Sequence, residues 1–187
     1  YGLALSYTEQ QDYRPVVNIA ETALEKHPQE ARLVALVAQG HAALGDPDLA
    51  LKFFQQYLQL IPSEERALYE DLRLVARPEE LKIYEALPEG EREAFLTKFW
   101  RKRDLTLVSG GLAREAEHDR RVWYARTHFA KDVHPWDRRG EVYIRYGEPN
   151  YRSRSNAPNT LPSAEVEVVK ERLALDIGLG DFAGLGD

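Results

Sequence analysis

Apolar residues recur at helical spacing along most of this chain. The periodicity predicts helices over 13–26, 31–44 and 47–60, preceded by a helical segment carrying Leu3 and Tyr7. A helix over 64–76 follows, with Ala67, Leu68, Leu72 and Val75 on one face and Ser63 as its cap. Arg77-Pro78 ends it, and shorter helices over 79–86 and 91–102 come next. A long helix over 112–130 has Ala116, Val122, Trp123, Ala125, Arg126 and Phe129 on its inner face. Arg126 in that row calls for a carboxylate partner. The pattern then changes. Val142, Ile144 and Tyr146 alternate with polar residues, which predicts a strand over 141–146 closed by a Gly147-Glu148-Pro149-Asn150 turn. Residues 151–163 read as linker, 165–177 as a helix, and the Gly-Leu-Gly-Asp tail of 178–187 as an end that orders on contact.

Two prolines set a period. Pro28 and Pro62 lie 34 residues apart, and each closes an amphipathic helix. Between the helices of the complete unit stands Gly45-Asp46-Pro47-Asp48, a helix stop followed by a proline in the next first turn. Ala50 is small where two helices approach, Phe54 fills the space four residues later, and Val34 and Val37 face them. Leu3, Tyr7, Ala23 and Pro28 repeat the frame one unit earlier. This resembles the tetratricopeptide repeat, a helix–turn–helix unit that stacks into a solenoid and holds protein surfaces. Tyr1 falls at the fifth position of its unit, so the repeat array is expected to be incomplete at the N-terminus. The groove of such an array is lined here by Leu5, Thr8, Glu9, Arg32, Ala35, Gln39 and Ala42. With Arg32 its only cation, it suits a stacking spacer better than a clamp for a peptide carboxylate.

A second resemblance lies downstream. Arg139-Gly140, Val142-Tyr143-Ile144, Tyr146-Gly147 and Pro149, with Phe99-Trp100 and Arg103-Asp104 upstream, resemble the GWxTD domain. Glu115, Arg121, Ala125 and Phe129 are the counterparts of that family's helix. The likeness covers roughly residues 92–150. In place of the naming motif stands His134-Pro135-Trp136-Asp137-Arg138. The family has no established activity. The resemblance implies a bacterial protein of the cell envelope or exterior, in which helical repeats precede the domain.

Composition narrows the picture further. Among 187 residues, 43% are hydrophobic and 30% charged, an ordinary globular balance, and no apolar run could cross a bilayer. Cysteine is absent, which removes disulfides and thiolate metal sites. Net charge is -6, which argues against nucleic acid as a partner. Residues 111–162 alone are basic, with 10 basic and 7 acidic groups. Glu115, Glu117, His118 and Asp119 are close together, but His118 lacks a second histidine four residues on, so they read as a solvated face and no metal is expected. Phosphate-cradling and nucleotide motifs are missing, and no cofactor is expected.

The expected fold is mainly α: a tetratricopeptide-like α-solenoid over 1–75, a helical connector with a small α+β module over 76–162, and a helix and Gly-rich tail over 163–187. The expected function is a non-enzymatic protein–protein interaction or assembly scaffold, holding a partner or a second copy at the repeat edge. Its candidate interaction or structural cluster is Trp136, Asp137, Arg138, Arg139, Gly140, Tyr143, Arg145, Tyr146, Gly147, Glu148 and Pro149. Two alternatives use the same stretch. One is a hydrolase or transferase working through carboxylates between Asp137 and Glu148. The other is an anion- or glycan-binding module built on Arg138, Arg139, Arg145, Arg152 and Arg154.

Overall fold

The computed structural model describes residues 1–104 and 113–149, together with Val168, Val169 and Arg172. The chain divides into two units, Tyr1–Glu148 and Pro149–Asp187. In the second, Val168, Val169 and Arg172 are helical, while Pro149 has no regular structure. Arg152, Arg154, the remainder of the 165–177 segment and the tail from 178 lie outside the described residues.

The first unit is helical throughout its regular structure. It begins with two helix pairs, α1 (Gly2–Glu9) with α2 (Tyr13–Lys26), and α3 (Ala31–Ala43) with α4 (Pro47–Leu60). Within the second pair Gly45 takes φ +82, a left-handed conformation that ends α3 without a Cβ clash. Asp46 then accepts the Leu49 N–H at 3.1 Å, and Pro47 opens α4 with no N–H to leave unpaired. Val34, Val37, Ala50 and Phe54 are fully buried. Each of the larger three removes enough apolar surface to contribute roughly 1.5–3 kcal/mol. The neighbouring pair fits closely. A Cβ on Gly40 would collide with Cγ2 of Val17, so α3 rides directly on α2.

After α4 the expected helix over 64–76 is replaced by one turn, α5 (Ser63–Arg66), and an irregular run. The packing explains this. Tyr69 turns toward Tyr57, ring centroids 5.8 Å apart, inside the main core. Leu72 belongs instead to a second cluster with Tyr84, Phe99 and Trp100. Residues three apart share one face of a helix, so a continuous helix could not send these two into different clusters. Arg66 also folds back to donate to the Leu58 carbonyl at 2.8 Å, and Asp71 binds both the main-chain N–H and the guanidinium of Arg73. Helices α6 (Pro78–Glu85) and α7 (Glu89–Arg103) complete this excursion, joined by an Arg103–Glu80 ion pair.

Helix α8 (Ala113–His128) then packs on both α4 and α3, as α3 packs on α2 and α1. Helix α9 (Arg138–Tyr146) packs on α8. The order of packing is that of a third pair, separated from the second by the α5–α7 excursion. Arg126 of α8 reaches to 3.8 Å from Glu65.

The strand expected over 141–146 is a helix. Gly140, Tyr143 and Ile144 are the buried positions of α9, at spacings of three and four. Val142 and Tyr146, assigned with Ile144 to one strand face, are 56% and 61% exposed. A period of two matched three apolar residues by coincidence, while the packing uses the helical period. Asp137 caps the helix, its carboxylate accepting the Arg139 N–H at 2.9 Å. The α+β module is therefore helical, and no strand occurs among the described residues.

Candidate functional site

The groove residues of the first pairs do not line an open surface together. Gln39 is 1% exposed and donates to the Arg120 carbonyl of α8 at 2.9 Å, so it is sealed beneath that helix. Thr8 is buried and donates to its own helix at the Ala4 carbonyl. Leu5 is half-buried against the core, and Arg32 is exposed with its guanidinium 5.9 Å from the Tyr1 ring. Glu9 ends α1, and its side chain lies outside the described residues.

The downstream cluster splits between the two ends of α9. At the N-terminal end, Trp136 packs beneath Gly140, whose missing side chain makes room for the indole. Asp137 holds Arg139 in an exposed two-pronged pair, with the guanidinium also 5.1 Å from the Phe129 ring. The hydrogen bond and charge of Arg139 hold the Asp137 carboxyl below the usual carboxylate range. Arg138 is exposed beside them.

The C-terminal end is denser. The Tyr143 hydroxyl donates to Glu148 at 2.8 Å and accepts from Arg120 at 3.2 Å, while its ring stacks on Tyr124 with centroids 4.3 Å apart. Burial pushes the Tyr143 hydroxyl up, Arg120 opposing and Glu148 assisting, so it remains protonated. Glu117 accepts both prongs of Arg120 at 2.6 and 3.0 Å and the Nε of Arg121 at 2.6 Å. Burial acts against the Glu117 carboxylate, but the two arginines outweigh it and its pKa falls. Arg121 also donates toward the Ile144 and Arg145 carbonyls, closing the end of α9. Gly147 follows at φ +86 with the Arg121 guanidinium against its α-carbon, where a side chain has no room. Arg145 donates from Nε to the Leu74 carbonyl at 3.1 Å. Tyr146 and Pro149 are exposed.

This arrangement weakens the paired-carboxylate chemistry considered from sequence. Asp137 and Glu148 stand beyond opposite ends of a nine-residue helix. At about 1.5 Å per residue the helix between them alone spans roughly 13 Å. Each is engaged by a different partner, Arg139 or Tyr143. Arg138, Arg139 and Arg145 likewise do not converge on one point, since Arg139 turns to Asp137 and Arg145 to Leu74.

Sequence reasoning missed the α8 residues that face α9 and the 69–75 segment. His118 and Asp119 are 3% and 5% exposed, not a solvated face. Helix α8 is covered on one side by α3 and α4 and on another by the excursion. Nε2 of His118 lies 3.1 Å from the Tyr69 carbonyl and so carries the proton, and its ring lies 4.6 Å from that of Trp100. Burial, with help from Arg121, depresses the imidazole to about 4 against the pull of the Tyr69 carbonyl. Burial also pushes the Asp119 carboxyl well above its ordinary value, and Glu115 adds to it. The readable signal was Glu117 at three and four residues from Arg120 and Arg121, the spacing of helical ion pairs.

Compared with family models, curated proteins and solved structures, the chain finds no match in any of the three.

Proposed function

We propose that this chain is a non-enzymatic interaction scaffold, an array of tetratricopeptide-like helix pairs continued by a module resembling the GWxTD domain. One observation carries the reading. The packing order of α1 with α2 and of α3 with α4 recurs in α8 with α9, the first helix of each new pair resting on both members of the preceding pair. Stacked pairs of this kind leave an unpaired face at each end, and such faces are where a neighbour adds. Leu3 on the first pair is 61% exposed, and Val142 and Tyr146 are exposed on the last described pair.

The contact proposed is self-association, or capture of a protein partner, through the edge of the first pair. Sedimentation velocity from low to high micromolar concentration tests it. The expected result is concentration-dependent growth that Leu3→Glu abolishes. A monomer across the whole range, unchanged by that substitution, removes the self-association reading. The resemblance further supports an address in a bacterial envelope or exterior. Recovery of the native protein only in a cytoplasmic fraction would contradict it. No helix among the described residues is long and apolar enough to cross a membrane.

A further inference from the structure

A cleft of about 140 Å3 opens between α7, α8, α9 and the Leu74–Val75 turn. Its polar lining is Arg103, Arg114, Arg121, Arg145, Glu117 and His118. These arginines come from three helices and are far apart in sequence, so their meeting is a product of the fold. Mutual repulsion of four guanidiniums is unfavourable unless anions compensate it. Glu117 and Glu80 compensate two of them. Asp71 is bound by Arg73, and Asp104 accepts the main-chain N–H groups of Ala113 and Arg114 at the start of α8. Among the described residues, the side chains of Arg114 and Arg145 form no ion pair.

Donors are left over as well. Arg145 uses Nε on the Leu74 carbonyl, and no described residue accepts from its two terminal nitrogens. Arg121 uses Nε and Nη1, with no described acceptor for Nη2. His118 adds an independent sign. It is almost wholly buried at the cleft wall, Nε2 is spent on Tyr69, and Nδ1 has no hydrogen-bond partner. The neutral ring with Nε2 protonated makes Nδ1 an acceptor, suited to an anion that still carries a proton.

We infer that this cleft is a binding site for a phosphate-class dianion, held by Arg114, Arg121 and Arg145 at the junction of α7, α8 and α9. Two guanidiniums without ion-pair partners suit a dianion, and planar guanidinium donors match its oxygens in pairs. The hydrogen of hydrogen phosphate is the donor that Nδ1 lacks. Sulfate has no such hydrogen. The ligand would be free phosphate or the terminal phosphomonoester of a small molecule. This site is separate from the repeat edge and does not depend on the scaffold reading.

Calorimetric titration of the full chain with inorganic phosphate, at ionic strength held constant with sodium chloride, tests the inference. Saturable one-site binding is expected, with sulfate weaker. Arg114→Gln and Arg145→Gln alter exposed side chains, so folding should persist, which circular dichroism checks. Each should weaken binding roughly tenfold, the size of one lost charge-assisted contact. Lys52→Gln, on α4 and outside the cleft, carries the same charge change and should leave binding unaltered. Phosphate should also shift the His118 ring resonances. Phenyl phosphate identifies the source: if it binds as phosphate does, the site takes a phosphomonoester, and if it does not, the free ion. Absence of saturation, equal weakening by Lys52→Gln, or an unmoved His118 signal on saturation would each overturn the site.

Discussion

Gln39 on α3 donates a hydrogen bond of 2.9 Å to the main-chain carbonyl of Arg120 on α8, across 81 residues of sequence. The amide is sealed from solvent, and it ties the second helix pair to the third past the whole α5–α7 excursion. Burying an amide is unfavourable unless it finds a partner, so the bond also fixes where α8 can dock.

Gln39→Ala should therefore destabilise the first unit by about 1–3 kcal/mol, the range for removing a buried polar partner. Urea unfolding followed by fluorescence of the buried Trp100 and Trp123 measures it. An unchanged midpoint would mean that α8 does not rest on α3.

Ile144 and Val142 separate the two readings of the 141–146 segment. On a strand both would sit on one face and respond alike. On α9 Ile144 is 2% exposed and Val142 is 56% exposed. Ile144→Ala should cost about 2–5 kcal/mol, the range for a buried aliphatic truncation. Val142→Ala should stay within about 0.5 kcal/mol, as surface changes do. Equal losses at the two positions would restore the strand.

The contrast also shows what the sequence could disclose. The repeat was legible because its signals are local: Gly45 and Pro47 mark a turn, and Val34, Val37, Ala50 and Phe54 keep helical period over long stretches. α4 runs over the span its pattern predicts, Pro47–Leu60. The excursion was less legible because Tyr69 and Leu72 obey different clusters, and nothing local says so. For α9 the alternation rested on Val142, Ile144 and Tyr146 and passed over Tyr143, which is buried, and six residues are too few to separate periods of two and 3.6. His118 and Asp119 looked solvated because polar residues ordinarily are, and only the docking of remote segments on α8 buries them. The cleft arginines were individually visible, but their convergence depends on how α7, α8 and α9 meet.

Gly147 offers a test of the close of α9. Its φ of +86 and ψ of -156 lie in a region essentially reserved for glycine. A Cβ there would also strike the Arg121 guanidinium, which is anchored to Glu117. Gly147→Ala should cost about 1–3 kcal/mol from backbone strain alone. Gly45→Ala, at a similar φ but with no atom near the added carbon, serves as the reference for strain without collision. Thermal melts should rank Gly147→Ala as the more damaging, and the reverse order would contradict the packing of Arg121.

The buried pair of neighbours His118 and Asp119 gives the first unit a two-sided dependence on pH. His118 is depressed to about 4 from an ordinary 6.5, chiefly by burial. Between those values the unfolded chain binds a proton that the folded chain refuses, so stability falls as pH drops from 6.5 toward 4. The total is on the order of 3 kcal/mol. Glu117 adds to the acid loss, because its lowered pKa means a stabilising charge that disappears as pH falls below its ordinary 4.5. Asp119 acts in the opposite sense. Its carboxyl is raised above the ordinary 3.8, so the folded chain keeps a proton that the unfolded chain releases, and stability falls as pH rises from there. His118→Gln retains a donor for the Tyr69 carbonyl and removes the titration. It should flatten the decline between pH 6.5 and 4 while leaving the part that belongs to Glu117. Asp119→Asn should stabilise the protein at neutral pH and change little near pH 4, where the native carboxyl is already protonated. Urea midpoints taken across this range decide both. Curves that run parallel to the wild type for either variant would show that the replaced group does not titrate between the folded and unfolded states as its burial requires.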